Sequence, residues 1–502
     1  MSEPLQPVSV TAPGFKGINK SASAVELDPS WALDATNCVL DRTGRIASRM
    51  GWSAVTSSPI GGTPNIESIG EYTTITGTNQ LISAANNIIY SGSATLTSIY
   101  STAITANRWQ MANFNNFLWL FQRSHAPLRW NGAAMVTIVS LAGTGTPPQG
   151  NAVCAAYGRL WVGDTVTDKT ILYFSDTLIG QNWTGGAAGT LDLKSIWQGA
   201  DGITAISSFN GFLIIFGSKS ILIYQNPTNP ATMTLVEHLH GIGCIARDSV
   251  QDIGTDILFL SDTGVRSLAR TIQEKSMPLR DLSKNVRDDM TSLISQQAAG
   301  TLEDIRSVYH EPNGFYLIGF PLQDTVVCLD LRKVLEDGAA PVTYWNHINP
   351  RAMLSSRDRT LYLGKAGVIG KYYGYTDNAT SYDMNYLTAW ISFEQPFIIK
   401  ILKRILCTVI GANNTIFSVK WGFDYSGVYF TVQQTISGGV VYEYNIAEYN
   451  IAEYTSGISI AEIGTPGSSA GKMMQFGLFC TVNGSQLALQ KFDIYAKPGK
   501  MR

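Results

Sequence analysis

Short apolar runs bounded by polar turns recur along most of the chain. Seven segments share one form, a polar turn followed by a compact hydrophobic core. They are Ile88-Ile89-Tyr90 after Asn86-Asn87, Phe117 to Phe121 after Asn115-Asn116, Leu160-Trp161-Val162 after Gly158-Arg159, Phe212 to Phe216 after Asn210-Gly211, Ile257 to Leu260 after Asp256, Phe315 to Ile318 after Asn313-Gly314, and Thr360 to Leu363 after Asp358-Arg359. Runs of this make-up, set between turn formers, predict strands. With the last core counted from Leu361, the core-to-core steps are 29, 43, 52, 45, 58 and 46 residues, and a four-stranded propeller blade takes about 40–50. A run such as Phe212-Leu213-Ile214-Ile215-Phe216 does not alternate, which is the pattern of strands buried on both faces, as when blades stack. Ile171 to Phe174, Ile221 to Tyr224 and Ile257 to Leu260 also resemble one another, as duplicated units would. The expected fold is mainly β, an irregular β-propeller.

One stretch departs from this pattern. Leu279, Leu282, Val286, Met290, Leu293 and Ile294 recur at spacings of three and four, with Pro278 before and Gly300 after. That spacing predicts an amphipathic helix over 279–297, packed across the rim of the sheets or, as the alternative, exposed and docking a partner. After Phe397 the blade-like turns stop, and Thr415 to Trp421, Gly427 to Gln433, Met474 to Thr481 and Leu487 to Ala496 read as strands of a β-sandwich. Within this part the tandem Asn445 to Tyr449 and Asn450 to Tyr454 predicts a protruding hairpin whose tyrosines suit protein contact. The expected organisation is an N-terminal extended segment over 1–65, a propeller over 66–395 with a helical insertion at 270–300, and a C-terminal sandwich-like domain over 396–502. The two chain ends together form a platform.

Composition sharpens the picture. The 502 residues hold 36 Lys+Arg and 38 Asp+Glu, a net charge of −2, and only 15% are charged. A soluble chain averages about 25%, so roughly 125 charged residues would be expected at this length. A charge-poor surface fits a protein whose surface is partly covered by other subunits. Hydrophobic content of 45% excludes a disordered chain. No apolar stretch of transmembrane length and no signal-peptide pattern is evident. The six cysteines lie far apart and read as buried apolar fillers. A near-neutral balance also disfavours tight, sequence-independent nucleic-acid binding, which Lys and Arg supply by displacing counterions.

The candidate chemistry is thin. His238 and His240 share one strand face and Cys244 is near, but a zinc site needs three or four spaced ligands. His125, His310 and His347 stand alone. Gly241-Ile242-Gly243-Cys244-Ile245-Ala246 mimics a dinucleotide fingerprint without room for the helix that would hold a pyrophosphate. Gly217-Ser218-Lys219-Ser220 resembles the end of a phosphate loop, with one Ser too many. Ser175-Asp176 with Gly180 and Trp183 is an imperfect version of a sialidase turn, and a glycosidase needs two carboxylates facing across a cleft. No catalytic, cofactor-binding or metal-binding residue is nominated, and no enzyme is expected. Arg42, Arg45, Arg49, Lys400, Lys403 and Arg404 are expected on solvated faces or subunit contacts.

Three groups of residues carry a family resemblance. Gly14-Phe15-Lys16-Gly17-Ile18-Asn19, then Ala35, Asn37, Asp41, Gly44, Arg49 and Gly51-Trp52, resemble the opening of virion proteins of tailed bacteriophages. Gly241 to Ser249 and Leu260 to Leu268 resemble the propeller core of the same group, and Met474 to Gly477 and Ile494 to Lys497 its closing strands. The family is the nozzle, or tail tubular protein B-like, component of short-tailed phages. The resemblance implies a virion protein, made in the host cytoplasm, that assembles as a homohexameric ring. Such a ring continues the DNA channel below portal and adaptor, retains the genome, conducts DNA without binding it specifically, and meets tail fibres or tail-tip proteins and the host envelope. The alternative is a propeller-based tail protein that binds a receptor or glycan, with glycosidase activity as one form of it.

Overall fold

The computed structural model describes residues 6–138, 145–198, 200–274, 281–437 and 458–499. The tandem repeat at 445–454 and the first predicted helical residue, Leu279, lie outside them. The chain is mainly β and forms a β-propeller. Six blades are each built from consecutive strands, and a seventh is completed by a strand from the N-terminal region.

Blade I runs Ser68–Thr73, Asn79–Ala85, Ile88–Ser91 and Thr97–Tyr100, and blade II Gln110–Phe114, Phe117–Gln122, His125–Trp130 and Met135–Thr137. Blade III runs Gly150–Ala156, Arg159–Thr165, Ile171–Phe174 and Gly189–Asp192, and blade IV Ile203–Phe209, Phe212–Gly217, Ser220–Gln225 and Thr234–His240. Blade V has three strands, Gln251–Asp252, Ile257–Ser261 and Gly264–Ser267. Blade VI holds Arg306–His310, Phe315–Phe320, Thr325–Asp330 and Val342–Asn346. Blade VII holds Ala352–Ser355, Leu361–Gly364 and Ile369–Tyr372, and its outer strand is Trp52–Ala54, paired antiparallel through Tyr372 and Trp52.

All strands within these blades are antiparallel neighbours, and their first strands touch in succession round an axis, with the Arg247–Ser249 turn making the contact between blades IV and V. Separate apolar clusters fill the gaps between blades. Leu118, Leu120 and Trp109 pack against Ile82 and Ile89 between blades I and II, and Trp161 and Leu172 meet Leu213, Ile215 and Leu222 between blades III and IV. Both faces of a middle strand are therefore covered, which is why its sequence is apolar without alternation.

The seven apolar cores fall on seven different blades. Six lie on second strands, whereas Ile88-Ile89-Tyr90 belongs to the third strand of blade I. That displacement accounts for the short first step. The long step before Phe315 holds the helical insertion.

Helix Leu268–Glu274 follows blade V, and a second helix spans Arg287–Ala298, not the whole of 279–297. Leu282 and Val286 are buried but lie ahead of it, Val286 in a 3-10 turn with Lys284 and Asn285. An i, i+4 apolar spacing continued through that tighter turn and so overran the helix start. Met290, Ile294 and Gln297 are its buried residues, and the Gln297 amide oxygen accepts from Leu322 N on the rim of blade VI at 3.0 Å.

The two chain ends interleave in a pair of packed sheets. In the first, Leu487–Pro498 lies between Lys400–Ala412 and Ile46–Ser48 and also pairs with Val8–Thr11. In the second, blade VI continues through Val342–Asn346 into Trp31–Thr36, Tyr382–Thr388, Met474–Val482, Ile416–Phe423 and Tyr429–Thr435. Phe476 and Phe492 stack across the gap at 4.7 Å, beside Phe15 and Tyr386. Two strands cross the expected boundaries: Trp52–Ala54, from the segment assigned to the platform, joins the propeller, and Tyr382–Thr388, from the segment assigned to the propeller, joins the sandwich.

Candidate functional site

First strands of propeller blades line the axis, and here polar side chains from five blades converge on it. Just ahead of the first strand of blade II, Arg108 meets Asp304, with Glu303 at 3.8 Å and Glu67 at 4.0 Å. Arg123, in the turn after the second strand of blade II, bridges Glu303 at 2.5 Å and Asp164 of blade III. Arg247, in the 3-10 turn leading into blade V, grips Asp248 through two bonds of 2.7 and 2.8 Å. It also donates to Asn151 O of blade III at 2.9 Å. Arg306 of blade VI reaches the same Asp248 at 2.8 Å, and Ser307 donates to Asp248 O at 2.8 Å. Glu303 and Asp304 lie in a short 3-10 turn, Leu302–Asp304, that connects the insertion to blade VI.

The electrostatics follow from burial set against these partners. Burial pushes the Asp248 carboxyl up, but Arg247 and Arg306 outweigh it and hold the group below its usual range. For Glu303 burial is likewise outweighed, by Arg123. Asp164 is nearly enclosed, and there desolvation wins over Arg123 and Asn151, so its pKa is raised. Among the described residues the axial carboxylates thus serve as counter-ions for arginine.

Two cavities follow the axis and share Gln251, Ser307, Met353 and Leu354. One, of about 370 Å³, is walled by Glu67, Trp109, Arg247 and Arg306, and the other, of about 830 Å³, by Asp252, Tyr309, Glu311 and Arg357. Their acidic groups are engaged: Glu71 accepts from Arg357 N at 2.8 Å, Asp252 from Gly254 N at 2.7 Å, and Glu311 lies 3.6 Å from Arg359. What the lining offers is hydrogen-bonding groups and arginines beside an aromatic wall, the make-up of a polar binding cleft.

The residues singled out in the sequence are dispersed. His238 and His240 do share a face, with ring centroids 3.6 Å apart, but the Cys244 thiol is buried and donates to Ala246 O at 3.1 Å. No group of three or more metal-ligating side chains occurs among the described residues. His125 packs edge-on to Trp109 at 5.1 Å, His310 is buried against Tyr372, and His347 is exposed beside Asp324.

The phosphate-loop mimic is a hairpin turn whose cradle is already filled. Ser218 N, Lys219 N and the Ser218 and Ser220 hydroxyls donate to the Asp201 carboxylate at 2.8–2.9 Å. The Gly241–Ala246 mimic leads into a 3-10 turn at Arg247–Ser249. Asp176 fastens its own turn, accepting from Thr177 N at 2.8 Å and Ala187 N at 3.1 Å.

The basic residues require a correction. Arg49 and Lys400 are fully enclosed and Arg45 nearly so, and none of the three lies on a solvated face. Arg49 makes two bonds to Asp377 at 2.7 and 2.9 Å, donates to Asn37 Oδ1 and Asn346 O, and sits 4.1 Å above the Tyr382 ring. Lys400 Nζ donates to two backbone carbonyls, Gln395 O and Lys472 O. A cation is tolerated inside when its donors are hydrogen-bonded, as all five of Arg49 are and two of the three of Lys400. Arg42, Lys403 and Arg404 are exposed.

Sequence reading did not find the axial arginines. Arg247 and Asp248 lie inside the Gly241 to Ser249 segment, the one local signal that pointed near them.

No protein-family model matches this sequence, and neither does any curated protein sequence. Solved structures similar in fold are propellers and extracellular domains. The extracellular domain of the one-component system BT4673 from B. thetaiotaomicron is 10% identical with a TM-score of 0.41, covering 78% of this chain and 45% of that one. The WD40 β-propeller domain of Doa1 is 9% identical with a TM-score of 0.37, covering 64% of this chain and 96% of that one.

Proposed function

We propose that this chain is a structural virion protein, the nozzle subunit of a short-tailed phage, acting as a homohexameric ring that retains the genome and conducts it at ejection. The observation that carries the reading is the role of the opening motif. Gly17, Asn37, Arg49 and Gly51, which carry the family resemblance, build the joint between propeller and platform. Exposed apolar side chains on the platform support subunit contacts. Phe397 is 85% exposed, Val428 67% and Phe430 42%, with Ile399, Ile401 and Tyr495 nearby in sequence or register.

A ring of six such chains closes by rotation through heterologous contacts. Its summed charge of about −12 leaves few counterion-release contacts to hold sliding DNA. Adaptor and portal on one side, and fibres or tip proteins on the other, are the partners this role requires. The test is electron microscopy of the purified protein and of particles, with native mass measurement. Sixfold rings support the proposal, and a stable monomer absent from particles overturns it.

The axial cavities favour a second reading, a propeller-based receptor or glycan binder. Glycan-array binding by a monomer or trimer, lost on substitution of Arg357 or Tyr309, would select it over the ring.

A further inference from the structure

Blade IV carries a pair of groups that neither its packing nor the axial network uses. On its outer strand, Thr234–His240, His238 and His240 stand two positions apart and so project from the same face. Their ring centroids are 3.6 Å apart and their planes meet at 41°. His240 is exposed and His238 half-buried, and His238 Nε2 is covered yet makes no hydrogen bond. Two imidazoles at this distance repel when both are protonated. As a neutral pair they present lone pairs side by side, the form in which imidazole ligates a metal.

The surroundings suit a cation bound by these two rings alone. In the strand register Ser220 lies opposite His240 and Leu222 opposite His238. Asp201 is the acid that acts on His238. Its two oxygens accept from Gly202 N, Ser218 N and Oγ, Lys219 N and Ser220 Oγ, so it contributes negative charge without being free to ligate. Cys244 turns its thiol inward to Ala246 O. The exposed His240 ring can swing from its place over His238 at the modest cost of a rotamer change, which uncovers both nitrogens.

We propose that His238 and His240 together bind a borderline divalent transition-metal cation, of the Cu²⁺ or Ni²⁺ kind, through one nitrogen of each ring, with water in the remaining positions. Imidazole suits these ions, and the affinity order places Cu²⁺ first. Mg²⁺ and Ca²⁺ prefer oxygen ligands, and the carboxylate that acts on His238, Asp201, is already engaged.

The experiment is titration calorimetry of the full chain with CuCl₂ and with MgCl₂ in a non-coordinating buffer at pH 7.5, with electron paramagnetic resonance of the copper complex. His347 is the other exposed histidine, while His125 and His310 are buried and five of the six cysteines are buried. His347→Ala is therefore the control. The expected result is one copper site with two-nitrogen hyperfine structure, no heat with magnesium, and affinity lower by about a hundredfold in His240→Gln or His238→Gln, since each removes one arm of a chelate. His240→Gln lies at an exposed position, so the test stands if His238→Gln fails to fold. Undiminished copper binding in His240→Gln, equal loss in His347→Ala, or no copper binding by the wild-type chain overturns the proposal.

Discussion

The joint between propeller and platform rests on Arg49, and replacing it is the sharpest test of the architecture. Arg49→Met keeps the length of the side chain but removes every donor. Asp377, whose side chain is 10% exposed, then loses its hydrogen-bonded counter-ion and keeps only the more distant charge of Lys365, and Asn37 Oδ1, Asn346 O and Met50 O each lose a donor. Breaking a buried pair from one side costs about 3–5 kcal/mol, most of it for the stranded charge. Arg49→Met/Asp377→Asn removes that charge and is expected to recover about half of the loss, leaving the unmet carbonyls and Asn37.

Local opening reports on the joint directly, so the assay is amide hydrogen exchange at Trp52–Ala54 and Tyr382–Thr388, the strands that flank the pair on the propeller and sandwich sides. The single variant should raise exchange there by about two orders of magnitude or more while blades II to IV keep wild-type rates. A loss under about 1 kcal/mol, or a double variant no better than the single one, would refute the assignment of Arg49 as a buried clamp.

Other consequences are equally open to measurement. His310 is buried in blade VI with Nδ1 unpartnered, and burial pushes its pKa down to about 4 from 6.5. The unfolded chain therefore binds a proton that the fold refuses, so stability is full above about pH 6.5 and falls as pH drops toward 4, by about 3 kcal/mol in total. Denaturant midpoints across that range should flatten in His310→Leu. At the axis, Asp248→Asn leaves Arg247 and Arg306 facing each other and should cost about 3 kcal/mol. The half-exposed Glu303→Gln should cost about 1 kcal/mol or less, and that loss should shrink in high salt. Thermal melts at two salt concentrations separate the two. A Cβ at Gly51 would stand 2.0 Å from Thr376 O, so Gly51→Ala should destabilise by about 1–3 kcal/mol, read from the same melts.

The propeller was legible because its signal is local and repeated. Each blade needs a middle strand covered on both faces, which forces an apolar run behind a turn, and Asn or Gly supplies the positive φ the turn needs, as at Asn210 and Gly211. What misled was also local: Asn86-Asn87 is followed by a strand as apolar as the others, although it is the third of its blade. The axial network left no comparable trace. Arg108 and Arg123, Asp164, Arg247, and Glu303 with Arg306 come from four separate stretches of the chain and occupy different positions within their blades, and only closure of the ring brings them together. Burial of Arg49 and Lys400 was equally hidden, because a lone cation reads as surface until its acceptors are known.

The residues that suggested a phage nozzle can now be weighed by what they do. Gly17 has φ +83 and no room for a Cβ beside Val342, and Gly44 packs against Pro13 at φ +77. Asn37, at φ 55, accepts from both Arg49 and Asn346 N and donates to Asp383 O, and Asp41 holds the turn at Thr43 and Arg45. Each is fixed by backbone geometry or by a saturated polar contact where the N-terminal segment threads between blade VI and the sandwich. Such residues report an architecture, a propeller joined to two packed sheets made of both chain ends, and carry no information about a ligand. The resemblance therefore bears on assembly more than on recognition, and the ring, not the axial cavities, is the first thing to look for.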